Sequence, residues 1–321
     1  MRKWLALASA GVLAFGVAAC GDDDSGGDAT AGGGAEVSGE IVIDGSSTVG
    51  PFATAAAELF KAENPGVNVS VGTSGTGGGF EKFCAGETDI SDASRPIKED
   101  EEAPICKKNG VTYQEITVAN DGIAVVTNKD LKIDCMTTAQ LKQLWNTGSK
   151  ITNYSQIDPK FPDVEVSLYG PGTDSGTFDF FTDEINGEEG VSRKEYQPSE
   201  DDNILVQGVS GDEGGLGYFG FSYYEQNQDK LNLVAVDGGD GCVKPSLETI
   251  QDGSYKPLSR PIFMYPSEQS LGSKPQVKGF MEYTIDNADE IATASQIVPL
   301  TAAQTDKAKQ QLKQAEAKAG E

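Results

Sequence analysis

Gly170-Pro171-Gly172-Thr173-Asp174-Ser175-Gly176-Thr177-Phe178-Asp179-Phe180-Phe181 carries a strand end, a turn and a helix start in one short run. Val164 to Tyr169, just before it, alternates like a half-buried β-strand. Gly170, Pro171 and Gly172 break that period. Ser175 or Thr177 can then cap a helix whose first turns are Phe178 to Ile185. Such a turn leaves backbone N–H groups free at a helix N-terminus, where the dipole favours negative charge. With the hydroxyls of Ser175 and Thr177 it makes a cradle for an oxyanion. On this stretch alone an ordinary capped helix is the better account, because S-G-T is a common sequence. Two further stretches of the same kind change that weighing.

Working outward, Glu40 to Asp44 is a short apolar strand, followed by the hydroxyl-rich turn Gly45-Ser46-Ser47-Thr48-Val49-Gly50-Pro51. Phe52, Ala56, Leu59 and Phe60 then recur at helical spacing until Asn64-Pro65-Gly66 stops the helix. Val67 to Val71 alternates as a strand. Gly72 to Gly79 reads as a glycine-rich loop, and Phe80 to Ala85 begins another helix. Asp89 to Pro96 is a strand ending in a polar turn. Repetition of strand, loop and helix predicts an α/β fold with largely parallel sheets. Further on, Thr138 to Trp145, Ile204 to Val209, Lys274 to Tyr283 and the tail from Thr301 read as helices, and Leu231 to Val236 as a strand. Gly214 to Gly220 is tight enough for backbone to pass close to backbone.

Two long apolar runs, Ile116 to Asn128 and Leu258 to Tyr265, read as strands that leave and re-enter a first domain. They divide the chain into lobe one (39–126 plus 260–321) and lobe two (127–259). The roughly 280 residues beyond the leader exceed what one core usually serves. Two lobes joined by two crossings make a clam-shell whose hinge closes on a ligand.

The chain opens with Arg2 and Lys3 and an apolar run, Trp4 to Val17, too short to span a membrane permanently. Val17-Ala18-Ala19-Cys20 resembles a lipobox, so residues 1–20 read as a lipoprotein signal with Cys20 as the lipidated residue. Residues 21–38, rich in glycine and aspartate, read as a flexible tether. The full sequence has 25 Lys+Arg against 50 Asp+Glu and no histidine. That balance excludes nucleic acid as a partner. It also means that an anion must be captured by local hydrogen bonds against the overall field. The lack of histidine removes the commonest general base and metal ligand. Four cysteines remain besides Cys20 in an exported chain, which suggests two disulfides. Cys84–Cys106 and Cys135–Cys242 is the pairing that keeps each bridge inside one expected domain. A zinc site is the alternative, and no C-x-x-C spacing favours it.

Three hydroxyl-rich turns thus point at one cleft: Ser46-Ser47-Thr48, Ser74-Gly75-Thr76 and Asp174-Ser175-Gly176-Thr177. The stretches I-D-G-S-S-T-V-G-P, G-T-S-G-T-G-G-G-F, E-T-D-I-S-D-A-S-R-P-I, Y-G-P-G-T-D-S-G-T-F-D-F-F and L-G-Y-F-G-F resemble, in order, those of the phosphate-binding lipoproteins of the phosphate-specific ABC importer (the PstS family). The resemblance implies a periplasmic-binding-protein fold of the second type, with a dehydrated phosphate held between the lobes. It implies donors at Ser47, Thr48 and Val49, at Ser74, Gly75 and Thr76, and at Ser175, Gly176 and Thr177. The implied partners are inorganic phosphate, the importer's permease and ATPase subunits, and the membrane through a lipid anchor alone. The protein is expected to be a monomer without a cofactor, anchored on the extracytoplasmic face of the cell membrane, and not an enzyme.

Two departures stand out. Some members carry an arginine four residues before the S-G-T serine, where this chain has Pro171. Some carry an aspartate where this chain has Ser94. Arg95 is the expected replacement guanidinium, since arginine suits bidentate oxyanion contact; an ion pair with a nearby carboxylate is its other reading. Asp174 is the expected acceptor of the phosphate proton, with Asp44, Asp92 and Asp121 behind it. Sulfate, molybdate or tungstate would keep the fold and change the anion. A secreted phosphatase would need carboxylate-bound metal, since no serine–base pair is visible.

Overall fold

The computed structural model describes residues 37–320 of the 321-residue chain. The leader, Cys20 and the tether up to residue 36 lie outside the described residues. Eleven strands form among them: β1 (Gly39–Gly45), β2 (Val67–Gly72), β3 (Ile90–Ala93), β4 (Ile116–Asn128), β5 (Cys135–Thr137), β6 (Ser167–Pro171), β7 (Gln197–Ser199), β8 (Gly215–Gly220), β9 (Leu231–Asp237), β10 (Cys242–Val243) and β11 (Ser259–Pro266). They pair in the order β2-β1-β3-β11-β4-β8-β6-β7, with β9 beside β4 and carrying β5 and β10. No helix of the described residues is long and apolar enough to cross a membrane.

The sheet is curled and mixed rather than largely parallel. β1 runs parallel to β2 and β3, and β6 parallel to β7 and β8. β4 and β11, however, run antiparallel to each other and to their other neighbours β3, β8 and β9. The reason is connectivity: β4 carries the chain out, β11 brings it back alongside, and two such strands must run in opposite directions. Residues 116–122 of β4 pair with β11, while residues 123–128 pair with β8 and β9.

Each stretch of β4 lies over its own core. Ile41, Phe52, Phe60, Ile116, Met264 and Phe280 belong to one cluster, and Ile123, Trp145, Phe181, Tyr218 and Val234 to another. The second cluster fixes the helix Gly176–Phe181, which Ser175 caps by accepting the Thr177 N–H. Phe181 stacks on Tyr218 at 3.7 Å between centroids and meets the Trp145 edge at 5.7 Å. Burying each such ring contributes roughly 2–3 kcal/mol, so the start of this helix is anchored from below.

The glycine-rich stretch after β2 is not a loop: the helix begins at Gly75 and runs to Cys84. Two contacts account for this. Asp44 Oδ1 accepts from both the N–H and the Oγ of Ser74, at 3.0 and 2.5 Å, and Asp44 Oδ2 pairs with Lys82 Nζ at 2.6 Å. The helix also lies directly on β1. A Cβ at Gly79 would stand 3.0 Å from the Asp44 carbonyl oxygen and nearer still to Gly45 Cα. The glycines serve close approach here, and not flexibility. Cys84 is bonded to Cys106 and Cys135 to Cys242, the first bridge joining two helices and the second tying β5 to β10.

Candidate functional site

The turn after β1 is pinned to β3 by the Ser46 N–H, which donates to the Asp92 carbonyl at 2.9 Å. Ser46 then accepts from the N–H groups of Val49 and Gly50, at 3.1 and 3.0 Å. The Val49 N–H is therefore used within the turn, while Ser47 and Thr48 face outward from it. Ser47 Oγ donates to Asp179 Oδ2 at 3.3 Å. In the second turn, the hydroxyls of Thr76 and Ser94 lie 3.0 Å apart, and the Ser94 N–H donates to Thr76 Oγ1 at 3.2 Å. The third turn meets the first edge-on. A Cβ at Gly176 would stand 2.7 Å from Thr48 Cα and closer to its N and Oγ1, so no other residue type fits there without moving the turns apart.

The guanidinium at this meeting point belongs to Arg260, near the start of β11. Arg260 Nη2 donates to Thr48 Oγ1 at 2.9 Å, its Nε faces Asp121 Oδ2 at 3.5 Å, and its Cζ lies 3.6 Å from the centre of the Phe180 ring. Burial lowers the arginine pKa from its ordinary value, and Asp121 pulls it back up. Burial likewise raises Asp121, with Arg260 holding it down. Each member of the pair thus offsets part of the other's burial cost; removing one would leave the other without its counter-charge.

Three adjoining spaces open here. A small pocket of about 30 Å³ is lined by Ser46, Ser47, Thr48, Gly75, Thr76, Ser94, Asp179, Phe180, Asp183, Glu189 and Arg260. It continues into an outer cleft of about 530 Å³ lined by Ser74, Arg95, Glu184 and Phe263 among others. On the other side of Thr48 a cavity of about 310 Å³ takes in Asp121, Asp174, Ser175, Gly176, Thr177 and Asp202. The expected donors therefore gather around Thr48, shared between two neighbouring spaces.

Several expected residues sit elsewhere than their assigned roles. Ser74 lines the outer cleft and spends its Oγ on Asp44. Arg95 also lines the outer cleft and is bound bidentately by Glu102, at 2.7 and 2.9 Å. Asp174 is exposed, and its N–H donates to Glu200 at 3.3 Å. Asp44 is paired with Lys82, and Asp92 is fully buried away from all three spaces with neither carboxylate oxygen bonded. Asp179, by contrast, lines the small pocket. Burial raises its pKa, while Ser47 and Arg260 hold it down. Sequence reasoning missed Arg260, Asp179 and Phe180. Arg260 had left a signal, a lone cation inside an apolar strand.

A curled mixed α/β sheet here delivers helix-starting turns to one mostly buried arginine. A family model for a PBP superfamily domain matches residues 30–288. Protein SphX of Synechococcus elongatus is 47% identical over 265 residues, covering 82% of this chain and 78% of SphX. The phosphate-binding protein PstS of Staphylococcus saprophyticus is 41% identical over 264 residues, covering 82% of this chain and 81% of that protein. A crystal structure from Planctomyces limnophilus, described as a possible phosphate binding protein, superposes with a TM-score of 0.82 at 42% identity, over 87% of this chain and 99% of that one. The chain belongs to the PBP superfamily and, within it, to the family of SphX and PstS phosphate-binding proteins.

Proposed function

We propose that this chain binds inorganic phosphate where the three turns meet Arg260 and hands it to the permease and ATPase of an ABC importer. The observation that carries the reading is the Arg260 guanidinium, held at Thr48 with Asp121 behind it. A planar cation with hydroxyl and N–H donors around it is a tetrahedral-oxyanion site. Thr48, Thr76 and Ser94 offer hydroxyls from one side, and Ser175 and the Gly176 N–H offer donors from the other. The rest of the chain is acidic, so these short-range donors and Arg260 must outweigh the long-range field.

Asp179 is the carboxylate placed to sense the anion's proton. Phosphate near neutral pH still carries one and sulfate does not. A carboxylate facing the pocket accepts that proton, while against sulfate it adds like charge and an unmet lone pair. Asp174, exposed and turned to the neighbouring cavity, does not meet this requirement as well.

In this reading the chain divides into lobe one, 39–126 with 260–321, and lobe two, 127–259, hinged at β4 and β11. Phosphate closes them. The protein acts as a monomeric carrier and not as an enzyme, fixed to the extracytoplasmic face of the membrane by lipid on Cys20. Calorimetric titration of the purified protein with phosphate and with sulfate tests the reading. Tight phosphate binding that Arg260→Gln weakens by at least about a hundredfold is expected, the loss of two charge-assisted hydrogen bonds at about 1.5–3 kcal/mol each. Preference for sulfate, or full phosphate affinity in Arg260→Gln, would overturn it.

A further inference from the structure

Arg260 has an aromatic neighbour in the F-D-F-F end of the stretch that carries the third turn. Its two polar contacts, to Thr48 and Asp121, lie along the edges of the guanidinium. Edge contacts set the direction in which the fork points, yet they leave the plane free to rock about the line between them. The Phe180 ring removes that freedom, because it covers one face with its centre 3.6 Å from Cζ. That is well inside the ~6 Å range of a cation–π contact. Phe180 is 2% exposed and lines the same small pocket, and the Arg260 side chain is 19% exposed, so the contact is largely shielded from water. It also joins distant parts of the chain: Phe180 follows β6, Arg260 lies on β11 and Thr48 follows β1.

We propose that Phe180 is a positioning residue whose ring holds the Arg260 plane for bidentate contact with the bound oxyanion. This rests on Arg260 being an anion ligand. Phe180 offers the anion no donor of its own and acts through the arginine. Its neighbours in sequence do other work: Phe181 stacks on Tyr218, and Asp179 accepts from Ser47. A residue serving only to fill the core could be replaced by another apolar side chain of similar size. A residue serving as a π face could not.

The test is a double-mutant cycle on phosphate affinity, measured by calorimetry on the purified protein, with F180L, R260Q and F180L/R260Q. F180L is expected to weaken phosphate about tenfold, between the scales of an exposed and a fully desolvated cation–π contact. F180Y, which keeps the ring, should stay within about threefold of the parent. In the R260Q background, where no cation remains to be held, F180L should change affinity by less than about threefold. If the F180L and R260Q losses multiply instead, Phe180 acts independently of the arginine and the proposal fails. If R260Q weakens binding and F180L does not, the positioning role fails while the phosphate site stands. If R260Q leaves binding intact, Arg260 is no ligand and both readings fall. Should F180L not fold, as judged by its thermal midpoint, F180M closes the same cycle with an unbranched side chain of similar volume.

Discussion

Gly176→Ala is the sharpest probe of the way the site is closed. Gly176 is the first residue of the helix that Ser175 caps, and its backbone angles suit alanine. Helix propensity therefore favours the change. The obstacle is Thr48, whose Cα would lie 2.7 Å from the new methyl and whose N and Oγ1 would lie closer. Ordinary contact begins near 3.4 Å, and the obstructing atoms include backbone, so the two turns must part by roughly 1 Å. That displacement takes the Gly176 N–H and the Ser175 hydroxyl out of reach of an anion held by Thr48 and Arg260. Two hydrogen bonds to a charged ligand, at about 1.5–3 kcal/mol each, correspond to a loss of about a hundredfold to ten-thousandfold in affinity. Calorimetry with phosphate measures this. The thermal midpoint without phosphate should fall little, because the strained contact is relieved by opening rather than by unfolding. Gly211→Ala, where a Cβ meets nothing within 4 Å, is the control and should bind as the parent does. A folded Gly176→Ala protein that binds phosphate within about threefold of the parent would refute the claim that the anion is held between these turns.

Asp179→Asn should narrow the phosphate-to-sulfate ratio by roughly ten- to a hundredfold, since it removes the charge that sulfate meets unpaired; an unchanged ratio from paired titrations would move the acceptor role to Asp121. Asp202, in the cavity beside Thr48, has its pKa pushed up to about 7, chiefly by burial. The folded state therefore keeps this proton at pH values where the unfolded chain has lost it, and stability drains away as pH rises from about 4 to about 7. Asp202→Asn should accordingly raise the thermal midpoint at pH 8, with the gain shrinking toward pH 4, and a gain that grew on acidification would contradict the assignment. Replacing Cys135 and Cys242 together by serine opens a loop of sequence separation 107. A loss of roughly 2–5 kcal/mol in urea unfolding is expected, and an unmoved midpoint would show that the bridge constrains little.

Much of the fold was legible because its signals are local. Ile116 to Asn128 stood out as an unbroken apolar run and is β4 with those same limits. Thr138 to Trp145 read as a helix and is one with those limits, opened by a capping box between Thr137 and Gln140. The cysteine pairing followed from the expected domain cut, and both bridges are present. What misled was composition read without contacts. Glycine at 75, 77, 78 and 79 argues for a loop on propensity alone. The Asp44 carboxylate on Ser74 and the closeness of β1 at Gly79 outweigh that cost, and both depend on a strand about thirty residues away. The expectation of a largely parallel sheet failed for a similar reason. Strand–helix alternation describes each stretch of chain but says nothing about the sense in which an outgoing and a returning strand lie together.

The site was legible in its donors and not in its charges. Hydroxyl-rich turns announce themselves, because the residues that cap a helix and those that bind an anion there are the same few types. A guanidinium can reach one point from any strand that passes nearby, so sequence distance says little about its source. With Pro171 in place of the arginine seen in some relatives of the motif, Arg95, at the end of the turn after β3, was expected to supply the guanidinium from the other lobe. Glu102, seven residues on and in bidentate contact, satisfies it. Arg260 reaches the same pocket from β11, next to Pro261, in a strand otherwise bought by apolar packing of Ile262, Met264 and Tyr265. A charge in such a strand is tolerated only where it finds a partner, and here it finds Asp121 on β4, Thr48 and the face of Phe180. Asp121 and Arg260 are Cα partners across the antiparallel β4–β11 pair. The strands expected to serve as the hinge therefore also carry the arginine and its counter-charge, so any movement about β4 and β11 shifts the cation that the anion meets.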